Sequence, residues 1–300
     1  MLPEDVLQKY RKAGRIASNV RNMIPNLVHE GAFIIDICDK VESIICEHGG
    51  KPAFPCNVCI NNIAAHYTSP PGDVSTIPGG SLVKVDIGVH VDGYIADTAV
   101  TICLNPEYSP LVEAVEIALN EACAVIRPGI KTSAVGTVIQ RAIETRGFKP
   151  IWNLCGHKTV RYMLHAGKSV PNVSHLNREK IEADEVYAVE PFVVMKEAAG
   201  RVEELSEALI YRYVKDRPLK RDSAKLLLQR VKNEFRTLPF AKRWIQNLVP
   251  PLEFDNAFSE LLSSKAIVKY PVLAEASGSL VAQAEHTVIV TQKGCMVITL

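Results

Sequence analysis

Three carboxylates stand where a carboxylate is costly. Asp86 lies in Leu-Val-Lys-Val-Asp-Ile-Gly-Val, Glu190 in Tyr-Ala-Val-Glu-Pro-Phe-Val-Val, and Glu285 in Val-Ala-Gln-Ala-Glu-His-Thr-Val-Ile-Val. Each run has the β-branched, apolar character of a buried strand. An acid inside such a strand must be paired, protonated or bound to a cation, because an isolated buried charge is too expensive to keep.

A fourth acid sharpens the point. Residues 82–89 and 94–102 read as strands flanking His90-Val91-Asp92-Gly93, a hairpin signal. With the turn centred on Val91-Asp92, Asp86 faces Asp97 directly, their Cβ atoms about 5 Å apart. Like charges that close are destabilising unless a cation lies between them. In the alternative, the register differs by one residue and one Asp is a solvated flank of the turn; spacing leaves both open. His157 in Leu-Cys-Gly-His-Lys, His165 in Leu-His-Ala-Gly and His66 in Ala-Ala-His-Tyr are candidate nitrogen donors. Four carboxylates with one imidazole form a hard, oxygen-rich set that suits two divalent cations better than one tetrahedral zinc. Such a pair activates a bridging water and polarises the carbonyl it attacks. No H-E-x-x-H, G-x-S-x-G, Walker or G-x-G-x-x-G signature is present.

Composition narrows the class. The chain has 300 residues, 47% of them hydrophobic and 22% charged, which excludes a disordered chain. A net charge of +1 excludes nucleic-acid binding by the chain's overall field. The acidic start is no signal peptide, and no apolar run is long enough to span a membrane. The eight cysteines are scattered; Cys56-x-x-Cys59 lacks the second pair of a structural zinc site, so reduced thiols and a cytoplasmic location are expected.

Helical spacing covers 3–24, 34–48, 110–126 and 132–146, the last capped by Thr132 or Ser133. Strands are expected at 185–195, 207–214, 266–272 and 279–290. Between them 220–263 is helical: Asp222 or Ser223 caps a helix through Phe235, and further helices follow Pro239 and Pro251. Over 212–243 eleven Lys/Arg face three Asp/Glu. With no internal repeat and no linker tract, the expectation is one α+β domain over 1–300 with the helical module of 220–263 inserted into it.

The motifs carry a resemblance. Lys51-Pro-Ala-Phe-Pro55, Asn61 to Thr68, Val85 to His90, Ile95 to Ala99, Gly156-His157, Leu164 to Gly167, Ala188 to Phe192, Thr237 to Ala241 and Glu285-His286-Thr287 follow one another in family order. The chain thereby resembles the type II methionine aminopeptidases of peptidase family M24, in their short archaeal-like form. The resemblance implies a pita-bread fold of two pseudo-symmetric α/β halves, with 212–272 as the type II insertion. It implies two divalent ions (cobalt, manganese, iron or zinc) held by Asp86, Asp97, His157, Glu190 and Glu285, with Glu190 also the proton shuttle. His66 and His165 would be catalytic contacts to the substrate, and Phe54 part of the methionine pocket. The implied substrate is the N-terminal methionine of nascent polypeptides, with a small second residue, acted on by a monomer. Two departures adjoin the site: Val193 to Gly200 replaces a Gly-rich, Thr-containing run, and Ala284 stands where the family has an aromatic. A Pro-specific exopeptidase of the same fold would carry a separate N-terminal domain, and a non-catalytic relative would have lost ligands. The basic segment 212–243 is expected to dock near ribosomal RNA.

Overall fold

The computed structural model describes residues 2–176 and 179–300; Met1, at the head of the acidic start, lies outside the described residues. Two helices, α1 (Glu4–Leu27) and α2 (Ile34–Glu47), precede β1 (Lys51–Ile60), β2 (Ile63–Ala65) and the hairpin β3 (Leu82–Val91)–β4 (Tyr94–Cys103). Then come α3 (Ser109–Val125), α4 (Thr132–Glu144), β5 (Phe148–Pro150), β6 (Cys155–Thr159), β7 (Ser169–Pro171), β8 (Val186–Val189) and β9 (Phe192–Met195). The remainder is β10 (Val202–Tyr213), α5 (Asp222–Glu234), β11 (Pro239–Ala241), α6 (Lys242–Ile245), α7 (Pro251–Ser263), β12 (Ile267–Glu275), β13 (Val281–Gln283), β14 (His286–Val290) and β15 (Cys295–Val297).

Two similar layers result. In the first half α1 and α2 bury Tyr10, Ala13, Ala17, Val20, Ile37, Val41 and Ile44 against the antiparallel sheet β1-β3-β4. In the second, α3 and α4 bury Leu111, Val115, Ala118, Val135 and Ile139 with Tyr187, Val189 and Val288 of the sheet β15-β14-β8-β6-β7. Helical spacing of apolar residues on one face is what lets each helix cover a sheet, and burial of that face supplies most of its stability.

Asp97 and Asp86 do not face each other directly. Asp92 and Gly93 occupy the two turn positions with φ of 52° and 86°, so Val91 pairs with Tyr94, Asp86 with Ala99, and Asp97 with Gly88. Asp-Gly is the favoured two-residue turn of this hand, and it moves the turn one position beyond Val91-Asp92. The pairing therefore slides by two residues, which preserves the face: the two acids remain on one side of the hairpin as diagonal neighbours. Neither is a solvated turn residue, and Asp97 is only 3% exposed.

Two expected strands are each broken in the middle. The stretch 185–195 splits at Glu190-Pro191 into β8 and β9, and 279–290 splits at Ala284-Glu285 into β13 and β14. β8 pairs with β14 and β9 with β13, so the two stretches run antiparallel and change sheet at the same level. Pro191 has no N–H for a ladder, which makes it a natural break. β1 has no counterpart among the expected strands: Pro52 and Pro55 disguise it, and the structure accommodates them with register shifts between Pro52 and Phe54 and between Phe54 and Asn57. Two caps also differ. Lys131 and Arg221 occupy the N-cap positions of α4 and α5, with Thr132 and Asp222 already inside the helices. After Pro239 the chain forms β11 before turning helical at Lys242.

Threonines bind the two halves together. Thr98 Oγ1 donates to Glu285 O at 2.7 Å and Thr101 Oγ1 to Gln283 O at 2.7 Å, while Glu285 N donates to Ala99 O at 3.1 Å. Thr287 Oγ1 accepts from Asp97 N at 2.7 Å and donates to Asp97 O at 2.8 Å. Lys84, fully buried, spans the same seam by donating to Asn61 O and Val281 O, and burial pushes its pKa down to about 7.

The helices of 212–272 enclose their own core of Leu227, Val231, Phe240, Ile245, Phe254, Phe258 and Leu261. The strands beneath them extend further, from Val202 to Glu275, and pair along β10-β12. Most cations of the basic segment have partners: Arg221 with Glu260, Lys225 with Asp222, Arg230 with Glu234, Lys232 with Asp216, Lys242 with Asp255, and Arg243 with Glu42. Three of these acids, Glu260, Asp255 and Glu42, lie outside 212–243 and offset part of the local excess; Arg212, Lys215, Arg217, Lys220 and Arg236 pair with no carboxylate among the described residues.

Thr287→Val should strand the buried Asp97 amide without an acceptor. A loss of about 1–3 kcal/mol is expected, read as a lower urea midpoint, with Thr287→Ser recovering most of it.

Candidate metal centre

The broken strands and the hairpin converge on one cavity. Its lining contains all eight residues singled out in the sequence: Phe54, His66, Asp86, Asp97, His157, His165, Glu190 and Glu285. Asn57, Ala65, Leu164, Ile210, Pro239 and Tyr270 complete it. Glu190 and Glu285 sit at the two sheet changes, where backbone breaks release a carboxylate inward. Asp86 and Asp97 come from the hairpin, and His157 from β6, whose edge pairs with β8.

Asp97, His157 and Glu285 bring one ligand atom each within 4.8 Å of one another. His157 Nε2 is 3.7 Å from Asp97 Oδ2 and 3.5 Å from Glu190 Oε1. Burial raises the carboxyl pKa of Asp86 to about 7. Burial, followed by the other carboxylates, holds Asp97, Glu190 and Glu285 well above the usual carboxylate range. Burial and the neighbouring His165 push His157 down to about 3, so its imidazole is neutral, the form that ligates metals. Asp86 Oδ1, Asp97 Oδ1, Glu285 Oε1 and His157 Nδ1 are buried without a hydrogen-bond partner. Orphaned oxygens on mutually repelling carboxylates fit divalent cations, which would satisfy the lone pairs and relieve the repulsion together.

The two other histidines stand at the mouth. His66 holds a positive φ of 66°, an uncommon conformation for a non-glycine residue. Its Nδ1 lies 3.0 Å from Pro271 O, which can only accept, so Nδ1 carries the proton and Nε2 offers a lone pair to the cavity. Burial lowers its pKa and keeps it neutral. His165 is exposed on its outer side, its ring centroid 4.3 Å from that of His157. Its surroundings, then His66 and Arg212, push it down to about 4. Tyr270 packs against both rings at 5.6 and 6.4 Å.

Phe54 forms the apolar side with Ile210, Leu164 and Pro239. Its ring lies over Gly88, where a Cβ would come within 2.3 Å of Cε1, so glycine there lets the ring settle onto the hairpin. Ile210, Pro239 and Tyr270 carried no chemical signal in the sequence; only the pairing of β10, β11 and β12 brings them here. Ala284 lines a separate cavity of about 290 Å³ that Glu285 also borders, as a small residue leaves space that an aromatic would fill.

Sequence and fold both match known proteins. The model for metallopeptidase family M24 matches residues 8–292. A methionine aminopeptidase of Methanothermobacter thermautotrophicus is 41% identical over 297 residues, covering 98% of this chain and 99% of that protein. One of Thermococcus kodakarensis is 46% identical over 289 residues, covering 96% and 97%. Among solved structures, a thermophilic Arx1 superposes with a TM-score of 0.86 at 19% identity, covering 99% of this chain and 91% of that one. A methionine aminopeptidase from Thermotoga maritima gives 0.72 at 20% identity, covering 100% and 98%. The two structures establish likeness of fold, the pita-bread arrangement.

Divalent cations should stabilise the protein by binding the folded cluster alone. Adding manganese or cobalt to chelator-treated protein is expected to raise Tm by several degrees. Glu285→Gln should abolish most of that rise while leaving far-UV circular dichroism unchanged.

Proposed function

Because the chain belongs to metallopeptidase family M24, we propose that it is a hydrolase that removes the N-terminal methionine of polypeptides. The observation that carries the reading is the gathering of four carboxylates and His157 in one cavity, in a chain 41–46% identical to methionine aminopeptidases over almost its whole length. No described helix is long and apolar enough to cross a membrane. We take 1–300 as one catalytic domain with 212–272 inserted into it, acting as a monomer in the cytoplasm on emerging chains.

In this reading Asp86, Asp97, His157, Glu190 and Glu285 hold two divalent cations, which when bound would polarise the scissile carbonyl and supply an activated water. The chain's own groups do the rest. Glu190 takes a proton from the attacking water and returns one to the leaving amine. His66 accepts a hydrogen bond at Nε2 from a substrate N–H, since its own proton is held by Pro271 O. His165, at the mouth, donates to the oxygen on which negative charge develops. Phe54, Leu164, Ile210 and Pro239 enclose the methionine side chain, and a small second residue is the preference that the family resemblance implies.

Free methionine should be released from Met-Gly and Met-Ala peptides only when divalent metal is present, and Ala-Pro peptides should be left intact. Preferential cleavage of Ala-Pro would favour a prolidase-like enzyme instead. His165→Ala should lower kcat by about 10²–10³ and Glu190→Gln by about 10²–10⁴, with metal still bound in the His165 variant.

The docking of 212–243 on ribosomal RNA belongs to this proposal in reduced form. With six of its cations paired, the charge left for phosphates lies on exposed Lys215, Lys220 and Arg236 with half-buried Arg217. Co-sedimentation with ribosomes should fall steeply with salt and with Lys215→Glu/Lys220→Glu; salt-independent co-sedimentation would remove this part.

A further inference from the structure

A second cavity, of about 150 Å³, adjoins the first. The two share Leu164, His165 and Tyr270, and the second is completed by Met163, Arg212 and Thr237. Arg212 is half-buried here. Its Nε donates to Tyr270 Oη at 3.0 Å, and Nη1 makes a long contact of 3.5 Å with Tyr213 O. Among the described residues no carboxylate pairs with it; Lys215, Arg217, Lys220 and Arg236 of the same segment are likewise without one, but of these Arg212 alone lines the cavity. A guanidinium held in place by a tyrosine, facing a cavity and lacking an anion, is a receptor for one.

The path from the reacting bond fits a peptide. His165 lies beside the metal-ligand cluster, the Tyr270 ring is 6.4 Å beyond it, and Arg212 hydrogen-bonds the far end of that tyrosine. An extended chain advances about 3.3–3.6 Å per residue, so a few residues cover the distance. We propose that the cavity bounded by His165, Tyr270 and Arg212 is a subsite for the polypeptide beyond its second residue, where Arg212 selects acidic side chains at the third or fourth position. This rests on the aminopeptidase reading given above. Partial burial favours the contact, because a charge-assisted hydrogen bond is stronger where water is scarce. Tyr270 also prepays the ordering of the Arg212 side chain, which a free surface arginine would pay on binding.

The test compares kcat/KM for Met-Ala-Asp-Asp-Ser, Met-Ala-Lys-Lys-Ser and Met-Ala-Ser-Ser-Ser with the metal-loaded, full-length protein. The acidic peptide is expected to exceed the basic one by about tenfold, with the neutral peptide between. The ratio should keep its sign in Arg212→Lys and reverse in Arg212→Glu. For the wild type it should shrink toward one at about 0.5 M salt, a measurement that needs no variant to fold. A wild-type ratio near one, a ratio unaffected by salt, or an unchanged ratio in Arg212→Glu overturns the subsite while leaving methionine release intact. Failure to release methionine from any of the three peptides overturns the functional reading, and this inference with it.

Discussion

Four carboxylates forced out of water onto one another are the constraint around which this protein is arranged. Each is held above its usual pKa by burial, and three are raised further by the others, so the protein alone carries an electrostatic debt at its centre. Folding can tolerate that only if the surrounding backbone is strongly determined. The threonine bonds across the seam and the buried Lys84 supply that determination, because they join the halves at the level where the acids meet.

The same constraint explains the sheet breaks. A continuous strand through Glu190 would alternate its side chains between two packed faces, and one face is helix-covered core. By stopping β8 at Val189 and starting β9 at Phe192, the chain lets Glu190 turn inward without burying it against apolar helices. The segment around Glu285 does the same on the antiparallel partner. Metal-site geometry is thus produced by defects in regular structure placed opposite one another.

These defects mark the boundary of what the sequence disclosed. Apolar periodicity identified the helices of both halves and the strands of the hairpin, because those elements bury one face each and show it. The costly acids identified the cavity's polar wall. The hairpin register came out two residues off because Asp92-Gly93, rather than Val91-Asp92, has the φ values of the turn; the error kept both acids on one face, since side-chain direction repeats every two residues. β1 stayed hidden because its two prolines argue against a strand, and only the bulges that absorb them reveal why they are tolerated. Ile210, Pro239 and Tyr270 stayed hidden for a different reason: an apolar residue or a tyrosine in a strand reports burial, and nothing in its neighbours says which cavity it borders.

The segment 212–272, which we read as an insertion, is more than a covering of the two halves. β12 places Pro271 O against His66, which fixes the proton on Nδ1 and turns Nε2 into an acceptor. β11 contributes Pro239 to the apolar wall, beside Ile210 of β10 just ahead of the segment. Arg243 and Trp244 of α6 clamp Glu42 on α2, and Glu42 in turn accepts from Cys56 N, two residues along β1 from Phe54. A displacement of the insertion would alter the protonation geometry of one histidine, the wall of the apolar pocket and the strand that presents Phe54. Its hydrophobic core is separate from those of the two halves, yet Pro271, Arg243 and Trp244 each contact a residue that the halves own. In the proposed reading the metal-holding groups come from the halves, and this segment shapes part of the wall that faces the substrate.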